Sequence, residues 1–219
     1  MSGKDEYSTM LIDTNPHITD INKVVADISA QASNSSLLTV AIAGAPGSGK
    51  STLAAKVATK LGDTCCIIPM DGFHLDNVTL TKRGLLSVKG APETFDLAGF
   101  SHLIEALKDG SAQQFPTFDR DQDSVIDNGG TVPDTASILL FEGNYLLFDE
   151  PGWVELADKW DASIWLDVSE AVLEERLIQR WLDQGMSPEA AKARAQMNDL
   201  ANARRVLEKA LPAAWVISN

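Results

Sequence analysis

The chain is predicted to be an α/β protein of three layers, helices on both faces of a mostly parallel five-stranded sheet, with a helical lid. Three observations predict this. Short apolar runs recur at 37–43, 64–70, 137–141, 162–167 and 213–217; that is the pattern of strands buried on both faces. Segments of helical period lie between them, which favours parallel strands joined by crossovers. A glycine-rich turn, Gly44-Ala45-Pro46-Gly47-Ser48-Gly49-Lys50-Ser51, joins the first run to its helix.

In chain order, residues 1–15 read as a loose start. Ile21, Val24, Val25 and Ile28 recur at helical spacing, predicting an amphipathic helix over 19–32. Residues 1–36 are thus a segment and helix packed on a main domain, 37–219. The strand at 37–43 leads through the glycine turn into a helix over 52–61, which Gly62-Asp63 ends. The stretch 71–95 has glycines, prolines and charges without a period, and reads as a functional loop. Asp96 caps a helix across 97–109, with Leu97, Phe100, Leu103, Ile104 and Leu107 on one face and Gly110 as its stop. Residues 115–118 are a short extended piece, and 119–134 are polar and turn-rich. A short helix near 152–159 precedes the strand at 162–167. Ser169 caps a helix to about Leu182, with Glu170 in its first turn. Pro188 starts the next at its first position, and helix continues through about 200–210. Residues 183–200 form either a lid hinged at Gly185 or a solvent-exposed helix.

Composition excludes several partners. A formal net charge of −13 argues against nucleic acid and anionic membranes. No apolar run approaches bilayer length, and the polar N-terminus lacks a signal core. The only cysteines, Cys65 and Cys66, are adjacent and point to opposite faces of a strand, so they do not pair. A cytoplasmic protein with a small-molecule partner is expected. The sequence leaves open whether two chains form a homodimer.

The glycine turn fits G-x-x-x-x-G-K-[ST], the phosphate-binding loop. Its glycines let successive N–H groups point inward, and the following helix adds its positive end. Gly44, Ala45, Pro46, Gly47, Ser48, Gly49, Lys50, Ser51 and Thr52 would hold a nucleotide. Lys50 would reach the β- and γ-phosphates, and the Ser51 hydroxyl would face Mg²⁺. Asp71 follows the second strand and Glu142 the third. In such sheets ligands sit beyond the carboxyl ends of the strands, so both acids should face the phosphate loop. One could orient or deprotonate a hydroxyl while the other helps hold Mg²⁺; alternatively each is a solvated acid. Arg176 and Arg180 lie one turn apart. They either clamp the transferring phosphoryl group or pair with Glu174, Glu175 or Asp183. For Arg194, Arg204 and Arg205 a surface role is favoured.

With these residues in place, the chain resembles the P-loop kinases that include uridine kinase, phosphoribulokinase and the bacterial type of pantothenate kinase. The phosphate loop, Met70-Asp71-Gly72-Phe73-His74, Lys89-Gly90-Ala91-Pro92-Glu93-Thr94-Phe95-Asp96, Phe115-Pro116-Thr117-Phe118-Asp119-Arg120 and Phe141-Glu142-Gly143 resemble its successive blocks over about 37–182. The segments Arg180-Trp181-Leu182-Asp183-Gln184-Gly185 and Asn198-Asp199-Leu200-x-Asn202-Ala203-Arg204 are similar to small bacterial kinases labelled fructose transport kinases or fructokinases. The resemblance implies a P-loop NTPase fold and ATP-dependent transfer to a hydroxyl of a small metabolite. It implies Asp71 as the base, itself near the metal, with Ser51 and Glu142 as metal ligands. Lys50 and Arg180, with Arg176, would neutralise the phosphoryl group. His74, Asn77, Arg83, Lys89, Phe118, Arg120 and Tyr145 would form the acceptor pocket, although Phe118 and Tyr145 also fit a core role, His74 a surface one, and Arg83 and Lys89 that of solvated cations. A sugar is the leading acceptor, ahead of a nucleoside or pantothenate. Two other classes compete. A GTPase switch would carry an Asn-Lys-x-Asp box, which the chain lacks. A regulatory subunit would bind ATP without transferring phosphate, and would not need Asp71.

Overall fold

The computed structural model describes residues 20–219; the expectations for residues 1–15 and for position 19 lie outside them. Helix α1, Ile21–Ala32, starts at Asp20, whose side chain accepts from the Asn22 N–H. It buries Val24 and Ile28 and lies against α2, Lys50–Leu61. Strand β1, Leu38–Ala43, leads into the phosphate loop. Strand β2, Cys65–Pro69, ends in a single 3-10 turn, Met70–Phe73.

The stretch read as an irregular loop contains a helix, α3, Asn77–Arg83. Its signals are the Asp76 cap, which accepts from the Thr79 N–H, and Gly84 at its end with φ of 69°. Helix α4, Leu97–Lys108, is capped by Asp96, which accepts from the Gly99 N–H. Residues 114–131 form an antiparallel hairpin of β3, Gln114–Asp119, and β4, Ser124–Thr131, with a register shift between Phe115 and Thr117. The polar stretch expected to be only turns is therefore mostly strand.

Strand β5, Ile138–Gly143, and strand β6, Ala162–Asp167, follow, separated by a 3-10 helix at Val154–Lys159 where a short helix was expected. Helix α5, Glu170–Asp183, begins after Ser169, but the Ser169 side chain makes no capping hydrogen bond. Helix α6, Pro188–Arg194, is capped by Ser187. A π-helical turn, Ala195–Asp199, links it to α7, Leu200–Glu208. Strand β7, Trp215–Ser218, closes the chain.

The main sheet has five strands in the order β2-β5-β1-β6-β7, and every pairing in it is parallel. Strands β1 and β5 are buried at every position. Alternate side chains point to opposite faces, so both faces of the central sheet are covered. Among the described residues no helix is long and apolar enough to cross a membrane.

Cys65 and Cys66 are free thiols. Burial, then the neighbouring Cys66, pushes Cys65 up to about 12, and burial also raises Cys66. A raised pKa leaves little thiolate at neutral pH, and the thiolate is the reactive form. Both cysteines are therefore expected to resist iodoacetamide at pH 7 in the native protein and to react on unfolding in urea. Mass spectrometry of the alkylated chain checks this.

Candidate active site

The register of the sheet brings the sequence-distant pieces together. Glu142 pairs with Ile42 on one side and with Pro69 on the other. The phosphate loop, Glu142 and Asp71 thus lie at the carboxyl ends of three neighbouring strands, where α/β sheets place their ligands. A cleft of about 800 Å³ opens there, lined by both acids and by Pro46, Gly47, Gly49, Lys50, Ser51 and Thr52.

The loop has the backbone its sequence requires. Gly47 and Gly49 have φ of 80° and 96°, a region that costs a side-chain-bearing residue about 1–2 kcal/mol. Gly49 is the N-cap of α2, so the amides of the first helical turn point to the cleft. Gly44 and Ala45, expected to hold the nucleotide, do not line the cleft; the Ala45 carbonyl accepts from Lys50 Nζ at 3.1 Å. Ser48 is buried, and its carbonyl accepts from Arg176 Nη1 and from the Asn219 side chain, both at 3.0 Å. Its own Oγ is buried without a hydrogen-bond partner.

Lys50 is 8% exposed and donates to Asn144 Oδ1 at 2.6 Å. Burial pulls its ammonium below the ordinary lysine value, opposed first by the charge of Glu142. Burial likewise pushes the Glu142 carboxyl up, opposed first by Lys50. The two groups stabilise each other's charge in a site that disfavours either alone. Ser51 Oγ donates to Glu142 Oε1 at 3.2 Å. A hydroxyl and a carboxylate beside a phosphate site are hard oxygen donors, which suit Mg²⁺; that ion takes one or two carboxylates and fills its remaining positions with water and substrate phosphate. The site fits the ion on that chemistry. Among the described residues there is no cluster of three or more His, Cys, Asp and Glu side chains that could hold a metal ion without a phosphate.

Asp71 stands in the 3-10 turn after β2. Its Oδ2 accepts from Arg120 Nη2 at 2.7 Å, so the cation expected in the acceptor pocket is held on the expected base. The hairpin can come this close because residue 72 is glycine: a Cβ there would lie 2.2 Å from the Pro116 carbonyl oxygen. His74 lines the cleft between Phe95 and Phe118, with ring centres 4.1 and 4.7 Å away. Its Nδ1 lies 2.8 Å from the Asp71 carbonyl oxygen. That oxygen can only accept, so Nδ1 carries the hydrogen and Nε2 is the bare nitrogen of the neutral ring. Burial, first among its causes, lowers the His74 pKa and favours that neutral ring.

Other sequence-predicted residues divide. Lys89, Phe118, Arg176 and Arg180 line the cleft. Lys89 is held by Asp123 at 2.7 Å and Asn77 at 2.8 Å and lies over the Phe118 ring. Asn77 is thus a support for Lys89 rather than a wall of the cleft. Arg83 is exposed in the last turn of α3 and does not line the cleft. Tyr145 is fully buried, donates to the Gly90 carbonyl at 2.6 Å and packs on Phe95, Phe148 and Trp153; of its two expected roles, the core role holds. Arg176 and Arg180 bond to Ser48 and Asp199, not to the acids named as surface partners. Arg204 pairs with Glu170, and Arg205 with Glu93 and Glu150. Arg194 does line the cleft. Sequence reasoning assigned no role to Asn144, Asp123, Trp181, Asn198, Asp199 or Asn202, all of which line it.

Residues 39–203 match the model of the Phosphoribulokinase / Uridine kinase family. A solved structure from Silicibacter sp. TM1040, provisionally named a fructose transport system kinase, is 46% identical and superposes with a TM-score of 0.85, covering 90% of this chain and 98% of that one. The uncharacterized protein YggC of Escherichia coli K12 is 35% identical over 177 residues, 78% of this chain and 73% of that protein. A Schizosaccharomyces pombe protein provisionally named uridine kinase C227.14 is also 35% identical over 177 residues, 74% of this chain and 75% of its own length.

Proposed function

The chain belongs to the phosphoribulokinase/uridine kinase family and is an ATP-dependent phosphotransferase acting on a small metabolite; from that premise we propose that its acceptor is a sugar hydroxyl. The observation that carries the catalytic part is the convergence of Asp71, Glu142 and Lys50 on one cleft with the phosphate loop. The sugar rests on the similarity to the Silicibacter protein, whose provisional name is that of a fructose transport system kinase. A nucleoside is the second reading, supported by the S. pombe relative.

In the proposed mechanism the loop amides and Lys50 bind the phosphates, and Arg176 and Arg180 close on them from α5. Asp71 orients the acceptor hydroxyl and takes its proton as the oxygen attacks the γ-phosphorus. The bond from that phosphorus to the β–γ bridging oxygen breaks, and ADP leaves. Ser51 and Glu142 would hold Mg²⁺, which supplies neutralisation of phosphate charge when bound. His74 Nε2 would accept from the acceptor's hydroxyls, and Phe118 would give them an apolar wall. We place the protein in the cytoplasm, whose reducing conditions suit its free thiols.

The test is a combined thermal-shift and ADP-release screen of sugars, nucleosides and pantothenate with Mg²⁺-ATP. A sugar is expected to release ADP and, at a hundredfold excess over its Kd, to raise Tm by about 5–10 °C. Turnover with a nucleoside or pantothenate instead would replace the sugar reading. ATP binding with no ADP release from any acceptor would favour a regulatory ATP-binding protein.

A further inference from the structure

The π-helical turn Ala195–Asp199 interrupts the α6–α7 run. Such turns are rare and concentrate at functional sites. This one contains two buried polar side chains that line the cleft: Asn198 is 5% exposed and Asp199 8%. Asn198 donates to the Lys89 carbonyl at 2.9 Å and accepts from Asn202. Asp199 accepts from Arg180 Nη2 at 2.9 Å and from Trp181 Nε1 at 2.5 Å. The guanidinium carbon of Arg180 is 5.2 Å from the Trp181 ring centre.

Arg180 is therefore fixed along one edge. Its Nε is buried and has no hydrogen-bond partner, while the side chain as a whole stays 39% exposed at the cleft it lines. A buried donor left unpaired is destabilising, and the part of the guanidinium that stays exposed, in the same cleft as the phosphate loop, is open to an anion. Arg180 lines the same cleft as Pro46, Gly47, Gly49, Lys50 and Ser51 of the loop.

We propose that Asp199 is a positioning residue: it grips Arg180 and Trp181 together so that the free edge of the guanidinium meets the γ-phosphoryl group. This rests on the phosphotransfer reading above. A carboxylate is required because both partners are donors. Asparagine would accept from one and set its own N–H₂ against the other.

The test uses calorimetry on the full chain with Mg²⁺-ADP and with the non-hydrolysable ATP analogue AMP-PNP. Asp199→Asn is expected to leave ADP affinity within about twofold while analogue affinity falls about tenfold, the size of one charge-assisted hydrogen bond. Trp181→Phe, which keeps a ring but removes the indole N–H, is expected to lose about threefold for the analogue alone. The double variant should lose no more than Asp199→Asn, since both act through one guanidinium. A merely structural role would change both nucleotides alike or neither, and either result overturns the proposal. If Asp199→Asn does not fold by circular dichroism, Trp181→Phe decides by the same ratio. The phosphotransfer reading fails separately, as wild-type protein releasing no ADP in the acceptor screen. Wild-type protein that binds neither nucleotide overturns both.

Discussion

Lys50→Ala is expected to slow phosphoryl transfer about a thousandfold, the upper range for removing one preorganised donor to developing charge, while the far-UV circular dichroism stays unchanged. Lys50 lies at the first position of α2, so alanine keeps the helix start and favours the helix. Its loss removes the cation beside Glu142, whose carboxyl that cation holds down against burial. With Lys50 gone, the Glu142 pKa moves further up and the carboxyl takes up a proton more readily. The substitution thus removes the ammonium that meets phosphate and weakens the hold on the carboxylate that would meet Mg²⁺. A coupled ADP-release assay with Mg²⁺-ATP and the acceptor found in the screen measures the effect. Full turnover in Lys50→Ala would remove the phosphate loop from the mechanism.

Asp71→Asn is expected to lower turnover about a hundred- to ten-thousandfold, the usual contribution of a general base, with Mg²⁺-ADP still bound at near wild-type affinity. Asparagine has the same shape, and its oxygen can still accept from Arg120, which bonds to Asp71 Oδ2 at 2.7 Å. The hairpin contact therefore survives, and what changes is the ability to take a proton. Nucleotide affinity is read by calorimetry and turnover by ADP release. An ATP-binding regulator would lose little in either measurement. Unchanged turnover in Asp71→Asn would end the base assignment.

The sequence made the centre of the site legible because its geometry is local or topological. The phosphate loop is one continuous stretch. Asp71 and Glu142 were identified as facing it from strand ends alone, and the pairing of Glu142 with Ile42 and Pro69 is the physical reason. What the sequence obscured lies where periodicity fails. Helix α3 buries only Leu80, so no apolar stripe marks it; only its Asp76 and Gly84 ends do. Strand β4 is exposed at six of eight positions, without the alternation that identifies a half-buried strand. Asp199 is invisible from sequence because its partners, Arg180 and Trp181, are 19 and 18 residues away. Within a run of helical sequence nothing marks the π-helical turn that contains it. Tyr145 fits a pocket or a core role from sequence alone; it follows Asn144, which lines the cleft, yet is itself fully buried.

Gly72 and Pro116 have a consequence beyond the present fold. The β3–β4 ribbon pairs with no strand of the main sheet, and it is seated on the 70–73 turn, where the missing side chain admits it. Descendants of such a design can lengthen, trim or rewrite the ribbon's tip while leaving the sheet that grips phosphate untouched. Any such change is still felt in the cleft, because Arg120 on the ribbon bonds to Asp71 and Asp123 at its turn holds Lys89.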